Sequence, residues 1–164
     1  MPRKYIMDEE TIGIKLERMA YEVVERNLEE TLIILIGIQD NGAVIARTME
    51  QLLRSISTVQ LKLIHLTLNK KNPDVVQLSE KEDFNNQVII LIDDVANSAR
   101  TMLYALKPFL EFHPKKIQTL ALVARTHKAF PIELDYVGLS VATTLKEHIF
   151  VEVKGEKLTG AYME

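Results

Sequence analysis

The stretch from Gln87 to Thr101 constrains the fold more than any other part of the chain. Five consecutive aliphatic residues, Val88 to Ile92, are too few and too rich in β-branched side chains for an ordinary helix. They predict a strand that is buried on both faces. Two acids, Asp93 and Asp94, follow directly, and a helical pattern begins near Arg100 after a short polar turn. This order is typical of an open α/β sheet, which places its ligands at the carboxyl ends of the strands.

The chemistry of this stretch favours a sugar phosphate as the ligand. A turn that opens a helix directs free backbone N–H groups at one point, and the helix dipole adds partial positive charge there, so the turn suits a phosphate. The carboxylates of Asp93 and Asp94 can accept hydrogen bonds from vicinal hydroxyl groups or hold Mg²⁺. Two other interpretations fit the same spacing: a phosphoacceptor signalling domain, and a plain sheet in which an acid caps the next helix.

The composition limits the classes of protein to which the chain can belong. At 164 residues, 47% of them hydrophobic, the chain fits a single domain over residues 1–164. It has no cysteine, which excludes disulfides, thiolate metal sites and a cysteine nucleophile. Its net charge of −3 gives no overall basic field for nucleic acid.

The apolar segments are short. The longest, Leu32 to Ile38, falls far below the ~20 residues that span a bilayer. The polar residues 1–10 do not have the pattern of a signal peptide. We therefore expect a cytoplasmic protein without a membrane segment.

The remaining chain alternates helical and strand patterns, which predicts an α/β domain with a mainly parallel sheet flanked by helices. Helices are predicted at 8–27, 43–54 and 101–110, and strands at 32–38, 59–68, 88–92, 117–124, 134–138 and 149–153. A loop at Gln39–Gly42 follows the strand at 32–38, and Arg125 follows the strand at 117–124. The polar span 69–86 is long enough for a mobile lid, with one hairpin arm at 75–78, and the tail 154–164 is expected to be exposed.

Residues Val88 to Thr101 resemble the signature of the type I phosphoribosyltransferases, in which an aliphatic strand and two acids precede a loop that binds 5-phosphoribosyl-1-pyrophosphate, PRPP. Over roughly residues 6–153 the chain is similar to the bifunctional pyrimidine-operon attenuator and uracil phosphoribosyltransferase family. Purine-salvage hypoxanthine phosphoribosyltransferases share the outline less closely. The segments that carry the narrower resemblance are Asp8-Glu9-Glu10, Glu25-Arg26-Asn27, Gly37-Ile38 with Gly42, Asp93-Asp94-Val95 with Arg100-Thr101, and Asp135-Tyr136-Val137-Gly138.

The resemblance implies the type I phosphoribosyltransferase fold and a reaction in which Mg²⁺-PRPP and a nucleobase, with uracil expected, give a nucleoside monophosphate and pyrophosphate. Asp93 and Asp94 would hold the ribose hydroxyls and Mg²⁺, and residues 69–86 would form a mobile hood. The other implied positions are the PRPP loop Val95, Ala96, Asn97, Ser98, Ala99, Arg100 and Thr101, the pyrophosphate loop Gln39, Asp40, Asn41 and Gly42, the base-binding Tyr136 and Val137, and Arg125 at the catalytic site.

Four residues depart from the family pattern. Ala99 stands where relatives have a glycine in the phosphate loop, and Asn97 stands where purine-salvage relatives have an acid proposed as the base. Asp40 replaces a basic residue of the pyrophosphate loop, and Ala124 replaces an acid before Arg125. These changes leave a second hypothesis open, in which the chain is a nucleotide-sensing regulator with weak or no turnover.

The resemblance also implies two macromolecular partners. The family's attenuators bind messenger RNA, but the first helix carries Gly13, Ile14 and Tyr21 where relatives tend to be basic or histidine. Because RNA binding depends on neutralising phosphates, we rank RNA regulation below catalysis. Family members commonly form dimers or larger assemblies, so a homo-oligomer is expected.

Overall fold

A six-stranded sheet forms the centre of the molecule in the computed structural model, which describes residues 2–164. A three-stranded sheet lies beside it. The elements along the chain are β1 (Lys4–Asp8), α1 (Glu9–Arg26), β2 (Leu32–Ile38), α2 (Gln39–Ile56), β3 (Gln60–Leu68), β4 (Val76–Leu78), β5 (Val88–Ala96), α3 (Arg100–Ala105), a 3₁₀ turn (Lys107–Phe109), β6 (Lys116–Arg125), β7 (Tyr136–Val141), β8 (Ile149–Lys154) and β9 (Lys157–Met163).

The central sheet has the strand order β4-β3-β2-β5-β6-β7. All its neighbouring strands are parallel except β3 and β4, which form the antiparallel hairpin expected near residues 75–78. The aliphatic runs of β2 and β5 lie side by side in the middle and are buried on both faces, with Ile34 and Ile90 fully covered. The predicted α/β architecture with a mainly parallel sheet is confirmed.

Helix α1 spans the residues that its periodicity predicts. The Asp8 carboxylate caps its first turn, because Oδ1 of Asp8 accepts a hydrogen bond of 2.8 Å from the Thr11 amide. At the other end, the backbone N–H of Asn27 donates to the Val24 carbonyl over 3.1 Å. Ile12, Leu16 and Met19 turn inward against the sheet.

The C-terminal segment contradicts the prediction of an exposed tail. Residues 157–163 form β9, which pairs antiparallel with β8 on one side and with β1 on the other. Ala161 is fully buried, and Tyr162 and Met163 are nearly so. The polar residues that suggested a tail lie mainly in the turn between β8 and β9. Strand β9 pairs with β1, which is distant in sequence, so the residues near β9 carry no pattern that predicts this pairing.

Helix α2 begins four residues earlier than predicted, so Gln39–Gly42 is the first turn of a helix and not a free loop. The glycines serve close packing. A Cβ on Gly42 would lie 2.7 Å from the Ile92 carbonyl oxygen, and one on Gly37 would lie 2.8 Å from the Ala43 Cα. The start of α2 is therefore pressed against the carboxyl end of β5.

Within residues 2–164, no helix is both long and apolar enough to cross a membrane.

Candidate active site

The two acids predicted to form the site, Asp93 and Asp94, lie within β5, close to its carboxyl end. The Asp93 side chain is only 2% exposed, whereas Asp94 is partly open to solvent. Each carboxylate is fixed by the next backbone amide: Asp94 N donates to Asp93 Oδ1, and Val95 N donates to Asp94 Oδ1, both over 2.8 Å. The acids are therefore held rigidly, with Asp94 the more accessible.

Burial raises the pKa of Asp93 well above the ordinary value for an aspartate, and the neighbouring charge of Asp94 raises it further. The ammonium group of Lys70 opposes both effects, because its Nζ lies 3.7 Å from Asp93 Oδ1. Asp93 therefore binds a proton more readily than an exposed aspartate does. Lys70 belongs to the polar span 69–86, and nothing in the sequence pattern indicated that it reaches the acid pair.

The turn after β5 encloses a small cavity of about 90 Å³. It is lined by Lys70, Asp93, Val95, Ala96, Asn97, Ser98, Ala99, Arg100, Thr101 and Met102. Since a water molecule takes about 30 Å³ of liquid, the cavity has the size of one small chemical group and not of a nucleotide. All the residues predicted for the PRPP loop except Asp94 line this one space.

Ala99 adopts the left-handed conformation, with φ of 67° and ψ of 13°, and is buried. This is the backbone geometry for which glycine is the usual residue, so the substitution at this position introduces local strain of about 1 kcal/mol. The turn is supported from outside, because the Ser98 carbonyl accepts hydrogen bonds from the amides of Ala129 and Phe130 at 3.2 and 3.1 Å.

The first turn of α2 lies against the acid pair. Asn41 Nδ2 donates to Asp94 Oδ2 over 3.0 Å and to the Val151 carbonyl over 3.1 Å. Gln39 has a positive φ of 44°, and its Oε1 accepts a hydrogen bond of 2.8 Å from the Leu68 amide. Asp40 is exposed at the helix start, where a negative side chain is favourable to the helix dipole.

A second cavity, of about 480 Å³, opens beside this helix start. Gln39 and Asp40 line it on one side, and Thr67, Leu68, Asn69, Val75 and Gln77 line it on the other. The preceding residue, Ile38, offers no side-chain hydrogen bond to the first turn of α2. The backbone N–H groups of that turn can therefore bind an anion.

Arg125 is the last residue of β6, at the same edge of the sheet as the acid pair. Its guanidinium is held by the connection between β7 and β8: Nε donates to Thr143 Oγ1 over 2.6 Å, and Nη2 donates to the carbonyls of Thr144 and Glu147 at 2.8 and 2.5 Å. A cavity of about 330 Å³ lies there, lined by Arg125, Thr126, His127, Thr143, Thr144 and Leu145.

Ala124, which the resemblance marks as a departure, pairs in register with Ala96 and is buried. A methyl group therefore lies beside the phosphate turn, at the position where the resemblance implies an acid.

The prediction that Tyr136 stacks on a base is wrong. Tyr136 is fully buried on the α1 side of the sheet, in register with Leu120 in β6 and Ile92 in β5. Its hydroxyl donates to Gln118 Oε1 over 2.8 Å and accepts from Asn27 Nδ2 over 3.3 Å, and burial raises its pKa to about 12. The side chain belongs to the core because β7 turns this position toward the helix.

Val137 lies in register with Ala121 in β6, which pairs in turn with Asp93 in β5, so it stands level with the first acid of the pair. Its carbonyl accepts a hydrogen bond of 3.0 Å from Arg18 Nη2, and its side chain packs on the opposite face of the sheet. The structure therefore brings together the acid pair, the phosphate turn, the first turn of α2 and Arg125. The buried ring of Tyr136 is not among them, and the role of Val137 at the base stays a prediction.

The chain matches the phosphoribosyl transferase domain family over residues 3–155. It belongs to that family. It is also 32% identical to the Bifunctional protein pyrR of Enterococcus faecalis, over 94% of this chain and 92% of that protein. Identity to the Bifunctional protein PyrR of Caldicellulosiruptor saccharolyticus is 34%, over 92% of this chain and 88% of that one. The chain is therefore a PyrR-like phosphoribosyltransferase.

Solved phosphoribosyltransferase structures share the fold. The hypoxanthine phosphoribosyltransferase of Trypanosoma cruzi superposes with a TM-score of 0.79 at 12% identity, over 98% of this chain and 95% of that one. A hypoxanthine-guanine phosphoribosyltransferase of Bacillus anthracis gives a TM-score of 0.76 at 16% identity, over 99% and 98% of the two chains. At such identities the likeness establishes the type I phosphoribosyltransferase fold alone.

Proposed function

We propose that this phosphoribosyltransferase transfers the phosphoribosyl group of PRPP to a pyrimidine base, uracil by resemblance, and releases pyrophosphate. One observation carries the proposal: the acid pair Asp93 and Asp94 borders the strand end whose following turn encloses a cavity of about 90 Å³. Carboxylates beside a phosphate-sized space match the two ends of a ribose 5-phosphate.

The reaction breaks the bond from the ribose anomeric carbon to a pyrophosphate oxygen and forms a bond from that carbon to a ring nitrogen of the base. Pyrophosphate leaves with the electron pair, so positive charge develops on the ribose. The accessible carboxylate of Asp94 accepts hydrogen bonds from the ribose hydroxyls and stabilises that charge. Asn97 has no basic atom, so we assign the proton released by the base to the departing pyrophosphate.

The backbone amides of Ala96 to Thr101 hold the 5-phosphate, and the first turn of α2 receives the pyrophosphate beside Gln39 and Asp40. The helix N–H groups there replace the basic side chain that relatives supply. Lys70 adds a positive charge from the 69–86 span, which we propose closes over the site and excludes water.

Asp93 and Asp94 also fit Mg²⁺, since this ion is commonly bound by one or two carboxylates together with substrate phosphates. Within residues 2–164, no group of three or more His, Cys, Asp or Glu side chains forms a complete metal cage. When bound, Mg²⁺ would neutralise charge on the pyrophosphate. The donors on this chain therefore suit a metal that arrives with PRPP.

The base site remains to be assigned after the exclusion of Tyr136. We propose the cavity of about 330 Å³ between Arg125 and Thr143, because it lies at the active edge of the sheet and offers hydroxyl and backbone groups for an exocyclic carbonyl.

A second function is supported by the strain at Ala99 and by the methyl group of Ala124. Both residues weaken catalysis but leave the phosphate-turn cavity in place, as expected for a nucleotide-sensing regulator. RNA binding stays a lesser proposal, because the exposed face of α1 carries Ile14 and Tyr21. A homo-oligomer and a cytoplasmic location stay predictions.

Product formation separates the two functions. The purified protein is incubated with Mg²⁺, PRPP and uracil, and uridine monophosphate is measured by chromatography, with hypoxanthine as the control base. The enzyme proposal expects product with uracil, at least tenfold less with hypoxanthine, and loss of product in Asp94→Asn. Binding of PRPP without product from any base would favour the regulator.

A further inference from the structure

Strand β4 forms one edge of the central sheet. It pairs antiparallel with β3, and no other strand of residues 2–164 lies on its second side. The Ser79 amide donates to the His65 carbonyl over 2.8 Å, and bonded and non-bonded pairs alternate along an antiparallel ladder. The N–H and C=O groups of Val76 and Leu78 therefore point away from β3, where another extended chain can pair with them.

A groove lies beside this edge, between β4 and residues 107–112. Its volume is about 880 Å³, larger than any of the cavities at the active edge of the sheet. The rings of Phe109 and Phe112 meet the buried ring of Phe84 edge-on, with centroids 4.9 and 5.4 Å away. The packed core therefore holds the floor of the groove in place, and this floor can receive apolar side chains. The apolar residues that line it are Val76, Leu78, Phe84, Pro108 and Phe112.

The rim of the groove is acidic. Lys62 pairs with Glu80 and Glu82, whereas the other three acids form no ion pair among residues 2–164. The ammonium group of Lys107 donates to the Asp74 carbonyl over 2.7 Å and not to a carboxylate. Unpaired acids on a rim attract a cationic ligand and repel the phosphate groups of nucleic acid. The charged residues that line the groove are Asp74, Glu80, Glu82, Asp83 and Glu111, with Lys81 and Lys107.

We propose that this groove binds an extended segment of another protein, which adds a strand to the free edge of β4. Two apolar residues of the segment, two positions apart, fill the space over the aromatic floor. Arginine or lysine residues at its two ends meet the acidic rim. Asp74 precedes β4 and Glu80 follows it, so carboxylates lie at both ends of the strand.

A protein segment fits the groove better than a small organic cation does. A small cation would leave the outward backbone groups of Val76 and Leu78 without partners, whereas an extended chain pairs with them. Because β4 has only three residues, side chains in the groove must supply much of the binding free energy. The groove shares no residue with the acid pair or the phosphate turn, so binding here needs neither PRPP nor a base.

Fluorescence anisotropy of a labelled, capped peptide of sequence Arg-Arg-Phe-Ser-Val-Arg-Arg, titrated with the full chain, tests the groove. We expect saturable binding with a Kd of about 10 to 100 µM. The same peptide with glutamate in place of every arginine should bind at least tenfold more weakly. No binding of the arginine peptide at about 1 mM would overturn the proposal.

A charge reversal on the rim locates the bound peptide. Glu111→Lys should weaken binding at least fivefold, because it sets a lysine against the arginines of the peptide. Glu29→Lys is the matched control, since it makes the same change of charge at an exposed position outside the groove. Thermal melting checks that both variants are folded. Equal weakening by the two variants would show that the peptide responds to net charge alone, which would overturn the proposal.

Two N-methylated peptides test the strand pairing without any change to the protein. One is methylated at the backbone nitrogens of its even-numbered residues, and the other at those of its odd-numbered residues. Alternate N–H groups of a strand face its neighbour, so only one of the two peptides should lose binding, by at least tenfold. Equal effects in both peptides would contradict strand addition.

Two other occupants of the groove have distinct signatures in the same assay. Full displacement of the peptide by an equal concentration of spermidine would assign the groove to small organic cations. Peptide binding per chain that falls as the protein concentration rises would assign it to a second copy of this chain. Either result would overturn the proposal, which expects neither.

Discussion

Asn41 joins Asp94 to the small sheet: its amide donates to Asp94 Oδ2 over 3.0 Å and to the Val151 carbonyl over 3.1 Å. A residue of the first turn of α2 thus fixes the more accessible acid of the site and ties it to β8. The geometry of the acid pair therefore depends on the docking of the three-stranded sheet that the two ends of the chain build.

Asn41→Ala should lower the free energy of unfolding by about 1.5 kcal/mol, since it removes a hydrogen bond to a carboxylate and leaves a carbonyl without its partner. Chemical denaturation measures this loss. Asn72→Ala, at an exposed position in the polar span, is the control and should cost less than about 0.5 kcal/mol. Equal stabilities of the two variants would show that the Asn41 link is not formed.

Ala99→Gly should relieve the strain of the left-handed residue at the phosphate turn. The gain of about 1 kcal/mol expected from the backbone is partly offset by the lost methyl burial, so a small net stabilisation is predicted. Tighter PRPP binding should accompany it. Asn86→Gly is the matched control, because Asn86 also has a positive φ, of 58°, but asparagine tolerates that conformation. A loss of stability in Ala99→Gly would contradict the strain at this position.

Asp93→Asn should stabilise the protein at pH 7. The pKa of Asp93 is raised in the folded state, so the folded protein binds more protons than the unfolded chain above the ordinary aspartate pKa. Stability is therefore lost as pH rises from that value through the raised pKa, and asparagine avoids the loss. We expect Tm to rise by about 3 °C or more at pH 7, and the difference to shrink toward pH 4. A difference independent of pH would contradict the prediction.

Tyr136→Phe tests the corrected position of this side chain. The variant removes the hydroxyl that bonds to Gln118 and Asn27, so the free energy of unfolding should fall by about 1–2 kcal/mol. Because the ring lies in the core, the KM for the base should stay the same. A rise in the KM for the base without loss of stability would show that Tyr136 does contact the base.

The sequence predicts the central features of this site because they are local. Strand β5, its acid pair and the turn with Ala99 follow one another along the chain, and a buried parallel strand leaves an unmistakable aliphatic run. The glycines at 37 and 42 predicted a loop at Gln39–Gly42, whereas these residues form the first turn of α2. Gly42 is needed because a Cβ would contact β5, and the sequence does not distinguish such a glycine from one in a loop.

The features that the sequence did not predict depend on distant pairings. Strand β9 is stabilised by β1, from the other end of the chain, and Lys70 reaches Asp93 from a span without periodicity. The predicted contact of Tyr136 with the base is wrong because it rested on the resemblance of Asp135–Gly138 to a family motif. The face of the sheet on which Tyr136 lies is set by the pairing of β7 with β6, which the motif does not determine.

Calorimetric titration with PRPP, with and without Mg²⁺, tests the central claim most directly. The wild-type protein should bind PRPP saturably and in a Mg²⁺-dependent manner, and Asp94→Asn should weaken that binding at least tenfold. No binding at millimolar PRPP, or equal binding by wild type and Asp94→Asn, would contradict the assignment of the acid pair and its turn as the phosphoribosyl site.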